Sequence, residues 1–149
     1  MLAAGASPAM VSGVEEAEEF AGIARALTVN ICTLSTPVAQ GMRAAIRGAQ
    51  GAGRPWVLDP VACQATAFRR RIVAELVALK PAIIRGNASE ILAMAGEASR
   101  GQGVDGRDSV ASAQDGARRL ARSSGAVVAV TGQVDFVTDG FLAARIEGG

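Results

Sequence analysis

The sequence predicts an α/β fold: a three-layer arrangement with a mostly parallel sheet, helices on both faces and a β-hairpin at the end of the chain. The first supporting observation is that short apolar runs alternate with helix signals through most of the 149 residues. The second is that these runs are apolar at successive positions rather than at alternate ones. This pattern indicates strands that are buried on both faces, as in parallel sheets covered by helices.

The strand and helix signals follow one another in chain order. The predicted parallel strands are short β-branched or aromatic runs at residues 27–31, 55–58, 82–84 and 126–130. The predicted helices start at caps or acidic turns, and they cover residues 15–26, 36–50 (Thr36 as N-cap, Pro37 in the first turn), 66–80, 87–96 and 108–123 (Asp108 as cap). The runs on either side of Asp139-Gly140 predict a hairpin near residues 134–146 with a two-residue turn.

Composition limits the class of protein. With 149 residues, the chain is long enough for one domain with a substantial core. A net charge of +1 gives no electrostatic footprint for nucleic acid, and the absence of histidine excludes Ser-His-Asp catalysis and histidine metal sites. Cys32 and Cys63 lack CxxC spacing, which suits a reducing compartment. No stretch reaches membrane-spanning length, so we expect a cytoplasmic protein without a membrane or nucleic-acid partner.

Three other patterns are interpreted as structural. The glutamates at residues 15–19 predict a solvated helix face, which favours the helix dipole. The arginines at residues 69–71 cannot share one helix face, so a mostly solvated cluster is expected. The GxGxxG run at residues 101–106 follows a helix rather than a strand, so it does not predict a dinucleotide site.

The stretch Ala82–Gly96 joins a predicted strand to a helix through a polar junction. Asn87 occupies the N-cap position, and Glu90 follows at the spacing of a capping box. Arg85 precedes the cap, and helix-start N–H groups together with an arginine attract anions such as phosphate. The alternative is an ordinary strand–helix junction with a solvent-facing arginine.

The residues after the predicted strands are polar, and open α/β sheets bind ligands at the carboxyl ends of their strands. These residues are Asn30, Thr33, Asp59, Arg85, Asn87, Glu90 and Thr131-Gly132. Carboxylates hold Mg²⁺, usually through its waters, whereas arginine and threonine contact phosphate oxygens. The sequence therefore predicts a phosphate–Mg²⁺ site on one rim of the sheet.

Six segments of the chain resemble the hydroxyethylthiazole kinase family in order and spacing. They are GASPAM (Gly5–Met10), NICTLS (Asn30–Ser35), PWVLDPVACQAT (Pro55–Thr66), IIRGNASEI (Ile83–Ile91), GVD (Gly103–Asp105) and VVAVTGQVDFVTDG (Val127–Gly140). The resemblance implies a ribokinase-like fold and transfer of the ATP γ-phosphate to the hydroxyl of 4-methyl-5-(2-hydroxyethyl)thiazole in thiamine salvage. It also implies Mg²⁺ as the cofactor and a homotrimer with active sites between subunits.

The resemblance also implies residue roles. Met10 becomes the contact to the thiazole, and Arg85 and Thr131 become contacts to the ATP phosphates. Asp59 and Glu90 become the carboxylates near the magnesium. Without the resemblance, a lone methionine such as Met10 would be interpreted as part of the core.

The chain also departs from the family pattern. Cys32 and Gln64 stand where the family usually has glycine, close to the expected ligand. The family's catalytic cysteine belongs to a glycine-rich run that is expected beyond Gly149, and the family's first strand is expected before GASPAM. The chain thus resembles the middle part of a kinase domain, and we expect these 149 residues alone not to phosphorylate the thiazole alcohol.

Two hypotheses of different class follow. The first is a kinase polypeptide, represented here by a fragment or a truncated gene. The second is a non-catalytic remnant that binds thiazole or nucleotide, or that only packs as a subunit. An in-frame glycine-rich run downstream in the genomic DNA would favour the first.

Overall fold

A computed structural model describes residues 3, 5–96 and 110–147. The GVD segment, the GxGxxG run at residues 101–106 and the predicted cap Asp108 therefore lie outside the described residues. Within the described residues, no helix is both long enough and apolar enough to cross a membrane.

Helices and strands alternate over most of the described chain. They are α1 (Val14–Ile23), β1 (Leu27–Asn30), α2 (Thr36–Gly51), β2 (Trp56–Asp59), α3 (Ala67–Ala78), β3 (Ile83–Asn87), α4 (Ala88–Met94), α5 (Val110–Ser124), β4 (Val127–Thr131), β5 (Val134–Thr138) and β6 (Ala143–Glu147). Each predicted strand and helix has a counterpart whose bounds lie within about three residues, the usual error of a prediction from sequence.

The strands form one sheet in the order β1-β2-β3-β4-β5-β6. The pairs from β1 to β4 are parallel, and each parallel pair is connected through helices. β5 is antiparallel to both β4 and β6, so the last described residues of the chain form a hairpin. The α/β class, the parallel part of the sheet and the terminal hairpin are therefore confirmed.

The core lies on one face of the sheet. Paired positions of neighbouring strands form a buried row of Val29, Leu58, Ile84 and Val128. The buried side chains of α2, α3, α4 and α5 belong to the same cluster. On the opposite face, Ile83 is 37% exposed. In the part of the chain that the structure describes, the connecting helices thus cover one face of the sheet. The prediction had placed helices on both faces.

Two helix and strand bounds differ from the prediction in a way that affects the site. Ser35, rather than Thr36, is the N-cap of α2, and its hydroxyl accepts a hydrogen bond from the Val38 N–H at 3.4 Å. β3 continues through Arg85 and Gly86, which were predicted to lie in a junction after the strand. The continuation follows from the pairing of Arg85 and Gly86 with β4, which extends the ladder beyond the apolar run.

The hairpin turn is longer than predicted. Thr138 pairs with Ala143, so four residues connect the strands instead of Asp139-Gly140 alone. The Asp139 carboxylate accepts hydrogen bonds from the Phe141 N–H at 2.8 Å and from the Leu142 N–H at 2.7 Å, which lowers the pKa of Asp139. These bonds satisfy the turn's backbone amides with a side chain, as aspartate commonly does in turns. The prediction of a two-residue turn was therefore wrong.

Helices α1 and α2 pack closely because α2 carries a glycine at their contact. A β-carbon on Gly48 would lie 1.9 Å from the Glu18 carbonyl oxygen, which is too close for any side chain. Glu18 also forms an exposed ion pair with Arg47 at 2.7 Å. Gly51, at the end of the same helix, has open space around it.

We predict opposite effects for alanine at these two glycines. Gly48→Ala should lower the free energy of unfolding by about 2–3 kcal/mol, because the methyl group forces the two helices apart. Gly51→Ala should raise it by up to about 1 kcal/mol, because alanine is the better helix former. Urea unfolding of both variants measures the difference, and equal stabilities would contradict the packing described for α1 and α2.

Candidate functional site

Polar residues at the ends of four strands meet on one rim of the sheet. Asn30 pairs with Asp59 across β1 and β2, and its side-chain amide donates to the Asp59 carboxylate at 2.7 Å. Asn87 pairs with Thr131 across β3 and β4. The Thr131 hydroxyl donates to the Gly86 carbonyl at 3.3 Å. Parallel register therefore places residues that are far apart in sequence at the same end of the sheet.

Arg85 lies on the same face of the sheet as Asp59. Leu58 pairs with Ile84 in the buried row, so the next residue on each strand projects from the opposite face. Arg85 is exposed there. Among the described residues, no carboxylate forms a salt bridge with its guanidinium. Its charge is thus available to an anion next to Asp59, on the face of the sheet opposite the core, which we call the open face.

Glu90 is the most constrained residue of the rim. Only 8% of it is exposed. One carboxylate oxygen accepts the Asn87 N–H at 2.9 Å, and the Asn87 side chain accepts the Glu90 N–H at 2.9 Å, which confirms the predicted capping box. The other carboxylate oxygen accepts the Ala62 N–H at 3.0 Å. A β-carbon on Gly86 would lie 3.1 Å from the Glu90 carboxylate, so a glycine there gives this carboxylate room.

Asp59 and Glu90 each have the donor chemistry that a magnesium ion with most of its waters prefers. A carboxylate has about four acceptor positions, and hydrogen bonds occupy only some of those on Asp59 and Glu90. Mg²⁺ in phosphate-transfer sites is usually held by one or two carboxylates together with waters and substrate phosphates. Within the described residues, no group of three or more His, Cys, Asp or Glu side chains could form a cage made by protein alone. The donor set therefore suits a hydrated metal bound together with phosphate.

Met10 lies on the surface of the described chain. Its side chain is 100% exposed, so it does not belong to the core, which is where its residue type alone would place it. Thr33, also predicted at the rim, is exposed as well. The contact between Met10 and the thiazole stays a prediction.

Arg69 is the residue that the sequence prediction missed. Its guanidinium donates to the carbonyls of Ile31 and Val61, both at 2.9 Å, and to the carbonyl of Cys32 at 2.7 Å. The expected solvated cluster is therefore wrong for Arg69. The sequence did contain a signal for this role. Arg69 lies in the first turn of α3, and helical side chains point back toward the N-terminus of their helix, here toward the loops after β1 and β2.

The neighbouring arginines behave as expected. Arg70 and Arg71 are exposed, and Arg71 lies over the ring of Phe68 at 5.4 Å. Arg70 donates to the Gln64 carbonyl at 2.8 Å. Both therefore hold local contacts around the start of α3, whereas Arg69 reaches across to the loop after β1.

The two cysteines differ sharply in environment. Cys63 is buried, and burial together with the nearby Glu90 carboxylate raises the pKa of its thiol to about 11. Cys32 is exposed on the loop after β1. A thiol with a pKa near 11 is almost fully protonated at neutral pH, so Cys63 has little nucleophilic character there.

A cleft of about 390 Å³ lies between α3, α4, α5 and the loop after β2. Its walls are mostly apolar, and the polar lining residues are Cys63, Gln64, Arg70 and Ser123. None of the residues predicted for the phosphate–metal site lines it.

The fold defines an α/β protein of the ribokinase-like class. The structure of an ADP complex of Bacillus subtilis pyridoxal kinase is similar with a TM-score of 0.53 at 21% identity, over 77% of this chain and 44% of that chain, a likeness of fold alone. A hydroxyethylthiazole kinase structure from Pyrococcus horikoshii OT3 is similar with a TM-score of 0.85 at 36% identity, over 99% of this chain and 55% of that one.

The sequence narrows the class to one family. The model of the hydroxyethylthiazole kinase family matches residues 1–149, and the chain belongs to this family. A hydroxyethylthiazole kinase from Rhizobium etli (strain CIAT 652) is 69% identical over the whole chain, and one from Cereibacter sphaeroides (strain ATCC 17029 / ATH 2.4.9) is 64% identical. The chain spans 58% of the length of the first relative and 57% of the second.

We predict that thiol reagents distinguish the two cysteines. At pH 7, Cys32 should react quickly with an exposed-thiol reagent, whereas Cys63 should stay unmodified in the folded chain because its thiolate is scarce. The rate at Cys63 should increase as the pH approaches 11, as its raised pKa requires. Mass spectrometry of the labelled chain measures both rates, with urea-unfolded chain as the control. Equal rates at pH 7 in the folded chain would contradict the burial of Cys63.

Proposed function

We propose that the protein to which this chain belongs transfers the γ-phosphate of ATP to the hydroxyl of 4-methyl-5-(2-hydroxyethyl)thiazole. The observation that carries the proposal is the meeting of Asp59, Arg85, Glu90 and Thr131 around one rim. Membership of the hydroxyethylthiazole kinase family supports the choice of substrate, since relatives 64–69% identical bear that name.

Arg85 and Thr131 are the proposed contacts to the ATP phosphates. Phosphoryl transfer relies almost entirely on positioning and on stabilising charge at the phosphate oxygens. The planar guanidinium of Arg85 offers paired N–H donors that suit a phosphate, and it lies exposed on the open face. The Thr131 hydroxyl now donates to the Gly86 carbonyl, so it can exchange that acceptor for a phosphate oxygen.

Asp59 and Glu90 are the proposed residues on the metal side. When bound, Mg²⁺ would neutralise charge on the phosphate oxygens. Asp59 presents its carboxylate from the end of β2, where Asn30 fixes one oxygen through a hydrogen bond. Glu90 is held through both oxygens by backbone amides, so its carboxylate is already oriented in the free protein.

The thiazole and the base for its hydroxyl complete the proposal. Met10, which is fully exposed, is the proposed contact to the thiazole ring. Cys63 does not suit the role of the base, because its thiol is buried and its pKa is raised to about 11. We therefore propose that the cysteine in the family's glycine-rich run, outside these 149 residues, takes the proton.

Assembly and compartment belong to the same proposal. Exposed apolar side chains, among them Ile23 at 75% and Phe141 at 80%, support subunit contacts in the homotrimer that the resemblance implies. The two unpaired cysteines suit the reducing cytoplasm. Light scattering of a polypeptide of the relatives' full length would measure the number of subunits, and three are expected.

The alternative is a remnant that binds thiazole or nucleotide without turnover. An assay for thiazole phosphate separates the two, because only a kinase forms it from ATP. The assay is run with residues 1–149 alone and with a polypeptide of the relatives' length that contains them. We expect product only from the longer polypeptide, since phosphoryl transfer needs metal, cation and backbone donors in place together.

We predict that Arg85→Ala lowers kcat/KM for ATP in the longer polypeptide. The loss should be worth about 1.5–3 kcal/mol, the size of hydrogen bonds to a charged group. Arg54→Ala is the matched control, because Arg54 is exposed and precedes β2 at the other end of the sheet. Steady-state kinetics at saturating thiazole measure both variants. An unchanged kcat/KM in Arg85→Ala would remove Arg85 from the phosphate site.

A further inference from the structure

We propose that Arg69 is a positioning residue that sets the geometry of the two metal-side carboxylates, a role that rests on the proposed function. Its guanidinium spans the gap between the loop after β1 and the loop after β2. It donates to the Ile31 and Cys32 carbonyls on one side and to the Val61 carbonyl on the other. One side chain thus holds together the two loops that precede α2 and α3.

The first loop carries the effect to Asp59. Cys32, whose carbonyl is held by Arg69, donates its N–H to the Asn30 side chain at 2.8 Å. The amide group of the same Asn30 side chain then donates to the Asp59 carboxylate at 2.7 Å. Arg69 fixes the turn that orients Asn30, and Asn30 orients the carboxylate.

The second loop carries the effect to Glu90 through a single peptide group. The carbonyl of the Val61–Ala62 peptide accepts from Arg69 at 2.9 Å, and the N–H of that same peptide donates to the Glu90 carboxylate at 3.0 Å. A cation at the carbonyl end polarises the peptide and strengthens its N–H as a donor. The guanidinium and the carboxylate are therefore coupled through one peptide plane.

The backbone at this peptide needs such support. Ala62 has a φ of 52°, in the left-handed region that residues other than glycine rarely adopt. A strained conformation of this kind persists only when its surroundings hold it. The hydrogen bonds from Arg69 and to Glu90 supply this restraint on the two ends of the peptide.

The geometry of the donor group explains why arginine occupies this position. Three carbonyls on two loops are reached by the two terminal nitrogens of one planar fork. A lysine would bring the same charge as a single point on a flexible stem, so it could not fix both loops equally well. Arg71 has the same charge on the same helix, but it lies exposed over Phe68 and reaches neither loop.

The test compares metal binding in Arg69→Gln, Arg69→Lys and Arg71→Gln, made in the polypeptide of the relatives' length that contains this chain. The probe is Mn²⁺ together with ADP, because Mn²⁺ takes the same oxygen ligands as Mg²⁺ and broadens nearby NMR resonances. The measured quantity is the Mn²⁺ concentration that half-broadens the backbone amide signals of Asp59 and Ala62. Thermal unfolding of each variant and hydrogen exchange at the Ala62 amide are recorded in parallel.

We expect Arg69→Gln to raise this midpoint about 10–100-fold, the usual effect of removing a group that orients a metal ligand. Arg69→Lys should give an intermediate midpoint, and Arg71→Gln should give the midpoint of the unsubstituted longer polypeptide. The Ala62 amide should exchange faster in both Arg69 variants. If Arg69→Gln fails to fold, Arg69→Lys carries the comparison.

A purely structural role for Arg69 would lower the melting temperature without moving the midpoint. Folded Arg69 variants with an unchanged midpoint would therefore overturn this inference and leave the proposed function standing. No broadening at Asp59 and Ala62 in the unsubstituted longer polypeptide would overturn the proposed metal site, and this inference with it.

Discussion

The buried carboxylate of Glu90 is the interaction on which the rim depends. Its two oxygens accept backbone N–H groups from Asn87, at the junction of β3 and α4, and from Ala62, in the loop after β2. A carboxylate at 8% exposure is costly unless it is well bonded, and these bonds meet that need. The same bonds tie two neighbouring strand ends together. Gly86 leaves room for this arrangement, because any side chain there would press against the carboxylate.

Much of this arrangement could be predicted from the sequence, because it follows from local rules. The Asn87–Glu90 spacing is a complete capping-box signal, and the structure contains both of its hydrogen bonds. Apolar runs separated by helix signals predicted the order of strands and helices and the parallel pairing of β1 to β4. Parallel pairing brings strand ends to one edge, so the meeting of Asp59 with its neighbours on β3 and β4 followed from the fold class.

The parts that could not be predicted depend on contacts between distant segments. The role of Arg69 is set by carbonyls up to 38 residues away, and nothing within residues 69–71 distinguishes it from its neighbours except the helix turn on which it lies. β3 extends to Asn87 because of its pairing with β4, not because of its own residues. The length of the hairpin turn depends on the side chain of Asp139, which accepts hydrogen bonds from two backbone N–H groups of the turn. The Asp-Gly pattern, which predicts a two-residue turn, does not include these bonds.

The central claim is that one rim of the sheet holds both phosphate and metal. The most direct measurement is a crystal structure with ADP and Mg²⁺ bound, for a polypeptide that contains this chain at the full length of its Rhizobium etli relative. The phosphates are expected against the Arg85 guanidinium and the Thr131 hydroxyl, with the metal on the side of Asp59 and Glu90. Nucleotide bound instead in the cleft between α3, α4 and α5, with Arg85 facing solvent, would contradict the claim.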